Sequence, residues 1–202
     1  MTSNVKHCVI TGAAYGIGRE LSLAFARAGY AIAGIDRDVE HLQLLRRDVE
    51  AAGGIARILE ADLGTAGDLT RLIDALGTLQ PVHVFIHNAG ISAVGAFETP
   101  RISEHRAVID VNLLAPMVLT NGPIGRHLLA DDASLVFISS LSHFVGYPGA
   151  AAYAASKDGL HAYASSLAAS MPKMHVLTIY PGPTRTAHAH SARAALQSGQ
   201  HT

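Results

Sequence analysis

The sequence has little charge, and the charge it carries is balanced. Its 202 residues include 15 basic and 16 acidic side chains, which gives a formal net charge of −1. This balance leaves no basic surplus to neutralise a nucleic-acid backbone or an anionic membrane surface. We therefore expect neither nucleic acid nor a membrane among the partners of this protein.

Cysteine and long hydrophobic runs are also scarce. The single cysteine, Cys8, lies inside a short apolar run, which favours a small buried hydrophobe over a nucleophile or a disulfide partner. No apolar run approaches the roughly 20 residues that span a bilayer. Strand-like residues begin by Val5, which leaves no room for a signal peptide. These features predict a cytoplasmic protein.

Clusters of metal ligands are missing from the sequence. The 12 histidines are scattered, and the closest pair, His188 and His190, has no nearby third or fourth ligand. We expect no metal and interpret the pair as part of a tail. Because 49% of the residues are hydrophobic, the chain can bury a sizeable core. We expect one domain over residues 1–202, with residues 187–202 as a short tail.

Short apolar runs alternate with stretches that carry apolar residues at helical spacing. The runs predict strands buried on both sides, at Val5–Thr11, Ala31–Asp36, Ile55–Glu60, His83–His87, Ser134–Ser139 and His175–Tyr180. The stretches predict helices at Ile17–Gly29, Val39–Ala52, Ala66–Leu76, Ser103–Leu129 and Ala150–Ser170. This βαβ repetition predicts a doubly wound Rossmann fold, an α/β protein with a parallel sheet of about six strands and helices on both faces.

Ligands of such sheets bind beyond the carboxyl ends of the strands. The segments at these ends are polar or turn-forming: TGAAYGIG (Thr11–Gly18), Asp36, Asp62, Asn88-Ala89-Gly90, Ser139-Ser140 and Pro181-Gly182. In the first segment, glycines permit a sharp turn, and the N–H groups of the next helix can face a pyrophosphate. A structural turn would have a similar sequence, and the TGxxxGxG spacing differs from the common GxGxxG fingerprint. The candidate dinucleotide contacts in this turn are Gly12, Tyr15, Gly16, Ile17 and Gly18.

An acidic residue follows the second predicted strand. Asp36 lies 18 residues beyond Gly18, where a carboxylate can accept hydrogen bonds from both hydroxyls of an adenine ribose. It would repel a 2′-phosphate, which favours NAD over NADP. Arg37 and Arg19 would instead attract such a phosphate. Asp36 could also be a helix N-cap, and the two roles are compatible.

Tyr153 and Lys157 are spaced i, i+4 and therefore share one face of the last predicted helix. Together with the strand-end residues, they make the chain from Val5 to about Thr186 resemble the short-chain dehydrogenase/reductase family. The matching segments are TGAAYGIG, Asp62-Leu63, Asn88-Ala89-Gly90, Asn112, Ser140, YAASK (Tyr153–Lys157) and Pro181-Gly182 with Thr186. Ser140 precedes Tyr153 by 13 residues, the usual interval in that family.

This resemblance implies a catalytic set of Ser140, Tyr153, Lys157 and Asn112. Tyr153 would exchange a proton with the substrate hydroxyl, and the Lys157 ammonium would lower the phenol pKa from its ordinary value of about 10. Ser140 would hydrogen-bond the substrate oxygen. Asn112 would hold a water that links Lys157 to solvent, although it could instead cap a helix kink.

The resemblance also assigns contacts with the cofactor. Asp62 and Leu63 would meet the adenine, and Asn88, Ala89 and Gly90 would line the cofactor site. Lys157 would bond the nicotinamide ribose. Residues after the sixth strand would contact the nicotinamide end, namely Pro181, Gly182, Thr184 and Thr186.

Two features depart from the family pattern. His87 stands where the family commonly has the first residue of Asn-Asn-Ala-Gly. Only 16 residues follow Thr186, so a C-terminal helix and the seventh strand are expected to be missing. The sixth strand would then be an exposed edge, and the substrate site would lose part of its wall.

The favoured function is hydride transfer between NAD(H) and a secondary alcohol or ketone. The pocket would be lined after Ser140 by Leu141, Ser142, His143, Phe144 and Tyr147. Two alternatives remain: a catalytically impaired NAD(P)-binding sensor or scaffold, and an NADP-linked ketoreductase of lipid or polyketide intermediates. The resemblance implies a homodimer, which small residues on the last helix would suit (Ala152, Ala155, Ala162, Ala169). The missing C-terminal segment makes the family's tetramer doubtful.

Overall fold

A computed structural model describes residues 5–95, 102–141 and 149–182 of the chain. It contains one six-stranded sheet whose neighbouring strands all pair in parallel. The strands are β1 His7–Thr11, β2 Ala31–Asp36, β3 Ala56–Glu60, β4 Val82–His87, β5 Leu129–Ile138 and β6 His175–Ile179. Their order, β3-β2-β1-β4-β5-β6, reverses direction between β1 and β4. The predicted doubly wound α/β fold is confirmed.

Helices connect the strands. They are α1 Gly16–Arg27, α2 Val39–Ala51, α3 Ala66–Leu76, α4 Ile102–Ile109, α5 Ala115–Gly125 and α6 Ala151–Ser170. Side chains alternate across β1, so that Cys8 and Ile10 pack on one face of the sheet and Val9 on the other. The first face is covered by residues of α1 and α2, and the second by residues of α3, α5 and α6. Each face therefore has its own core layer.

The edge strands correct one expectation. The sequence predicts every strand to be buried on both sides, but each residue of β3 and β6 is either exposed or only partly buried. In β6, 54% of Leu177 and 38% of Ile179 are exposed. Each of these strands pairs with one neighbour in the described sheet. Apolar composition therefore predicted the strands but not their places in the sheet order.

The helix predicted over Ser103–Leu129 is shorter and interrupted. A π-helical turn, Asp110–Leu114, joins α4 to α5. The helix ends at Gly125, because His127 adopts a left-handed φ of 55° and the Leu128 N–H returns to the Pro123 carbonyl. Strand β5 then begins at Leu129 rather than at Ser134.

This interrupted helix, Ile102–Gly125, is long and apolar enough to cross a membrane by length and composition alone. However, 44% of its most apolar window is buried inside the protein. It packs against α3 and α6. The core helix of a folded domain has the same composition, so this property is weak evidence for a membrane span.

His87, the departure from the family pattern, lies in the core. Its imidazole stacks between the rings of Phe85 and Phe137, at centroid distances of 4.4 and 4.9 Å. Its Nε2 lies 3.0 Å from Thr120 Oγ1, and its buried Nδ1 has no hydrogen-bond partner within the part of the chain that the structure describes. Burial lowers the pKa of His87 to about 3, so the ring is neutral at physiological pH.

We expect His87 to make the protein sensitive to mild acid. Below pH 6.5 the unfolded chain takes up a proton that folded His87 accepts only near pH 3. Its contribution to the free energy of unfolding should therefore fall by up to about 1.4 kcal/mol per pH unit below that point. Urea unfolding at about pH 7 and about pH 5 measures the loss. In His87→Phe the loss between the two pH values should be smaller, and an equal loss would contradict the assignment.

Candidate active site

The glycine turn leaves β1 at the point where the strand order reverses. Gly12 and Gly16 have φ angles of +66° and +51°, which favour glycine. A Cβ on Gly12 would lie 2.9 Å from the Ala89 Cα, and one on Gly18 would lie 2.1 Å from the Gly12 carbonyl oxygen. The turn is therefore packed too tightly for side chains at these positions.

Asn88 fastens this turn from the neighbouring strand β4. Its side-chain Nδ2 donates to the carbonyls of Thr11 and Gly12 at 3.0 and 3.1 Å. In return, Thr11 Oγ1 accepts from the N–H groups of Asn88 and Ala89. The structural work of Asn88 is thus to hold the glycine turn in shape, and its contact with a cofactor stays a prediction.

The N-terminus of α1 suits an anion better than those of the next two helices. Asp38 and Thr65 cap α2 and α3 with their side chains, and each of those helices has an acid in its first turn. At α1 the N-cap residue, Tyr15, makes no side-chain cap, and the first turn has no acid. The positive end of the helix dipole is thus left for a ligand. These groups fit the pyrophosphate of a dinucleotide.

Asp36 ties the end of β2 to the glycine turn. Its Oδ2 accepts from the Ala14 N–H at 3.2 Å and its Oδ1 from the Asp38 N–H at 3.1 Å. Of the two arginines that could attract a 2′-phosphate, Arg19 pairs with Asp48 and Glu20, whereas Arg37 is exposed. The helix cap that the sequence left open for Asp36 is made by Asp38 instead.

Tyr15 is held by two residues at the start of α2, the N-cap Asp38 and His41. Its hydroxyl donates to Asp38 Oδ2 and lies 2.7 Å from His41 Nδ1. The hydrogen bond to Asp38 raises the pKa of Tyr15 to about 12, and the same bond lowers the pKa of Asp38 to about 2. The Tyr15 and His41 rings are 4.3 Å apart. Tyr15 thus has a fixed place at the mouth of the turn.

Asp62 and Leu63, the predicted adenine contacts, follow β3. The Asp62 Oδ1 accepts from the Gly64 N–H at 2.9 Å, and the Asp62 N–H donates to Asp68 at 2.7 Å. Leu63 is buried in the core layer with α3. Both residues therefore shape the turn before α3, and their contact with adenine stays a prediction.

Lys157 is buried where α6 crosses the end of β5. Its Nζ donates to the Ile138 carbonyl at 2.7 Å and lies 5.8 Å from the centroid of the Tyr153 ring. Ser139 Oγ donates to the Lys157 carbonyl, which fastens the helix to the strand a second time. Burial lowers the pKa of Lys157 to about 8, so the ammonium form still dominates at neutral pH.

Asn112 lies at the centre of the π-helical turn and is fully buried. Its Oδ1 accepts from the Ile91 N–H at 2.8 Å, and its Nδ2 donates to the Ile91 carbonyl and to Ser156 Oγ. Ser156 in turn donates to the Tyr153 carbonyl at 2.7 Å. The amide thus joins three segments of the site, which accords with the kink interpretation. Its role with a water stays a prediction.

Ser140 follows β5, and the residues on either side of it both donate backbone hydrogen bonds to the end of β6 and the segment after it. The Ser139 N–H donates to the Ile179 carbonyl at 2.7 Å, and the Leu141 N–H donates to the Pro181 carbonyl at 3.4 Å. The structure therefore brings Ser140 and Pro181-Gly182 to the same end of the sheet. The remaining predicted pocket and nicotinamide contacts lie outside the described residues: Ser142, His143, Phe144, Tyr147, Thr184 and Thr186.

Sequence reasoning included Thr11, Ser139 and Ser156 in the segments of the site but gave none of them a role. The Thr11 hydroxyl accepts from the Asn88 N–H. The hydroxyls of Ser139 and Ser156 donate to the backbone carbonyls of Lys157 and Tyr153. Each is a small polar residue buried beside a predicted site residue. Adjacency to a predicted site residue is the signal in the sequence that could have revealed these roles, because the partners of Thr11 and Ser139 lie elsewhere in the chain.

The fold and the strand-end residues define a doubly wound α/β protein with a dinucleotide-type glycine turn. A profile of the family described as short chain dehydrogenase matches residues 6–197. The chain belongs to the short-chain dehydrogenase family, as its motifs predict. Membership of this family confirms the predicted class, oxidoreductases that use a nicotinamide cofactor. A solved structure of similar fold holds NADPH.

Two of the curated relatives are named as dehydrogenases of alcohols. The chain is 38% identical over 179 residues to 1-deoxy-11-beta-hydroxypentalenate dehydrogenase from Streptomyces arenae, covering 85% of this chain and 62% of that protein. It is 28% identical over 187 residues to cyclohexanol dehydrogenase from Acinetobacter sp. (strain SE19), covering 91% and 74%. A short-chain dehydrogenase from Sphingobium yanoikuyae in complex with NADPH matches with a TM-score of 0.87 and 26% identity, covering 94% and 75%. The chain spans between 59% and 77% of the length of the first curated relatives that it matches.

Proposed function

We propose that the chain transfers a hydride between a nicotinamide dinucleotide and a secondary alcohol or its ketone, with Tyr153 as the general acid/base. The observation that carries this proposal is the buried Lys157 ammonium, fixed on the Ile138 carbonyl and 5.8 Å from the Tyr153 ring. A relative named cyclohexanol dehydrogenase supports a secondary alcohol as the substrate class.

Each side chain has a distinct task in this proposal. The bound nicotinamide supplies the hydride acceptor or donor. The Lys157 charge favours the phenolate of Tyr153, so the phenol can accept the proton of the substrate hydroxyl and return it in the reverse reaction. Ser140 donates a hydrogen bond to the substrate oxygen and fixes its distance from Tyr153. The glycine turn and the N-terminus of α1 hold the pyrophosphate.

Turnover of a ketone panel tests this activity. Oxidation of NADH and of NADPH is followed by absorbance with cyclohexanone and with bulkier ketones as substrates. We expect turnover by the wild type with at least one ketone and its loss in Tyr153→Phe. Tight binding of the cofactor without turnover by the wild type would overturn the proposal in favour of a sensor or scaffold. Turnover with NADPH alone would favour the ketoreductase alternative.

We propose NAD rather than NADP as the preferred cofactor. Asp36 supports this preference, because its carboxylate lies beside the glycine turn and would repel a 2′-phosphate. The Sphingobium yanoikuyae relative, in contrast, was solved with NADPH. The ratio of the NADPH and NADH dissociation constants distinguishes the two cofactors.

Replacing Asp36 with asparagine should shift that ratio toward NADPH. The amide keeps an acceptor oxygen for the turn but removes the charge, and one charge about 5 Å from a phosphate dianion changes binding by about tenfold. Fluorescence titration measures both dissociation constants. Glu40→Gln removes a charge from the first turn of α2 and is the matched control. A wild type that binds NADPH more tightly would contradict the preference.

We infer that the chain pairs with a second copy through α6 and the α4–α5 helix. Large apolar side chains are exposed along the latter, with Ile102 72% and Leu114 47% exposed. Three small residues of α6, Ala155, Ala162 and Ala169, are exposed as well. Light scattering should give twice the 21.1 kDa mass of the chain and a lower mass for Leu114→Glu. A monomer at micromolar concentration would contradict this pairing.

A further inference from the structure

A hydrogen bond joins the catalytic helix to the end of the edge strand β6. His161 lies one turn beyond Lys157 on α6, at the same i, i+4 spacing that relates Lys157 to Tyr153. Its Nδ1 is 2.5 Å from the hydroxyl of Tyr180. Tyr180 directly follows β6 and precedes Pro181-Gly182. The bond therefore connects the helix that carries the proposed acid/base to the segment predicted to meet the nicotinamide.

The Ser139 N–H holds the end of β6 by donating to the Ile179 carbonyl at 2.7 Å, but the segment beyond Tyr180 has weaker backbone support. The strand is at the edge of the described sheet, and it pairs with β5 on one side. Beyond the regular pairing, the Leu141 N–H reaches the Pro181 carbonyl at 3.4 Å, which is long for a hydrogen bond. Tyr180 is partly buried, so its bond to His161 is partly shielded from water.

We propose that His161 and Tyr180 are positioning residues, which hold the Pro181-Gly182 segment at a fixed distance from Tyr153 and Lys157. This inference rests on the proposed function. Misplacement of reacting groups by about 1 Å lowers the rate of a chemical step far more than it weakens binding. Loss of the tie should therefore act mainly on kcat.

Removing the Tyr180 hydroxyl tests this role. Tyr180→Phe should lower kcat about tenfold, while the KM for the ketone and the dissociation constant of NADH stay within about twofold. The matched control is Tyr163→Phe, which removes a hydroxyl of α6 itself that donates to Asn121 of α5 at 2.8 Å. Tyr163→Phe should lower the melting temperature no more than Tyr180→Phe does, and its kcat should equal that of the wild type. A kcat of Tyr180→Phe equal to that of the control would overturn the proposal.

Variants of His161 separate positioning from packing. In His161→Gln, an amide oxygen can still accept from Tyr180, so most of the wild-type kcat should return. In His161→Leu, kcat should match that of Tyr180→Phe. The double variant that combines His161→Leu with Tyr180→Phe should be no slower than either single variant. Additive losses would show that the two residues act separately and would overturn the tie.

Hydrogen exchange provides a readout that does not need activity. In Tyr180→Phe the backbone amides of residues 179, 180 and 182 should exchange about tenfold faster than in the wild type, and those amides should be unaffected in Tyr163→Phe. If the wild type turns over no ketone, the proposed function fails and the tie is judged by this measurement. Unchanged exchange would overturn the tie, and faster exchange would support it.

Discussion

Tyr153→Phe is expected to lower kcat by about a thousandfold, within the range usual for loss of a general acid/base. The phenyl ring keeps the packing over Lys157 Nζ, 5.8 Å from the ring centroid, but has no proton to exchange with the substrate oxygen. The dissociation constant of NADH should stay within about threefold, because the glycine turn and α1 are untouched. Steady-state rates with NADH and a ketone, together with fluorescence titration, measure the two effects.

The control for this variant tests whether Tyr153 and Lys157 act as a unit. Lys157→Met removes the ammonium from the Ile138 carbonyl and should also lower kcat by at least about a hundredfold. The double variant should be about as slow as Tyr153→Phe, since the charge has no phenol left to act on. A Tyr153→Phe enzyme within tenfold of the wild-type rate would exclude Tyr153 as the acid/base.

Gly18→Ala is expected to disrupt the glycine turn. The new Cβ would lie 2.1 Å from the Gly12 carbonyl oxygen and 2.5 Å from Asn88 Nδ2, so the turn must move away from α1. We expect the free energy of unfolding to fall by about 3 kcal/mol, as for other overpacked sites. Binding of NADH should weaken by at least about a hundredfold, because the N–H groups of α1 no longer face the pyrophosphate.

Gly67→Ala is the matched control for this prediction. Gly67 lies in the first turn of α3, and a Cβ there meets no atom within 4 Å. That substitution should leave NADH binding unchanged and raise the free energy of unfolding by up to about 1 kcal/mol, because alanine favours a helix. Urea unfolding and fluorescence titration measure both variants. Wild-type binding by Gly18→Ala would contradict the assigned packing of the turn.

The sequence predicted the alternation of elements well, because buried strands and amphipathic helices have different periods. It failed where the outcome depends on neighbours. The apolar segment His175–Ile179 resembles the central strands in composition, and its exposure results from its place at the edge of the sheet. A kink at Asn112 was an open alternative, but its π-helical form was not predicted, since the partner Ile91 is 21 residues away.

The candidate site was predicted by residue type and spacing, but the tasks of several residues were not. Asn88 belongs to a recognisable motif, yet its side chain is spent on the carbonyls of Thr11 and Gly12. The tie between His161 and Tyr180 has no motif, because 19 residues and a strand separate its two members. Long-range hydrogen bonds of this kind depend on the assembled fold, so a local pattern does not reveal them.

The reversal of strand order between β1 and β4 makes the site a joint product of the two halves of the sheet, β1 to β3 and β4 to β6. Thr11 ends the first strand and Gly12 follows it, whereas Asn88, whose side chain holds their carbonyls, directly follows the fourth strand. A dinucleotide can therefore be seated only after both halves have docked, and its binding energy opposes separation of the halves rather than the opening of one loop. A bound dinucleotide would accordingly stabilise the assembled domain against unfolding.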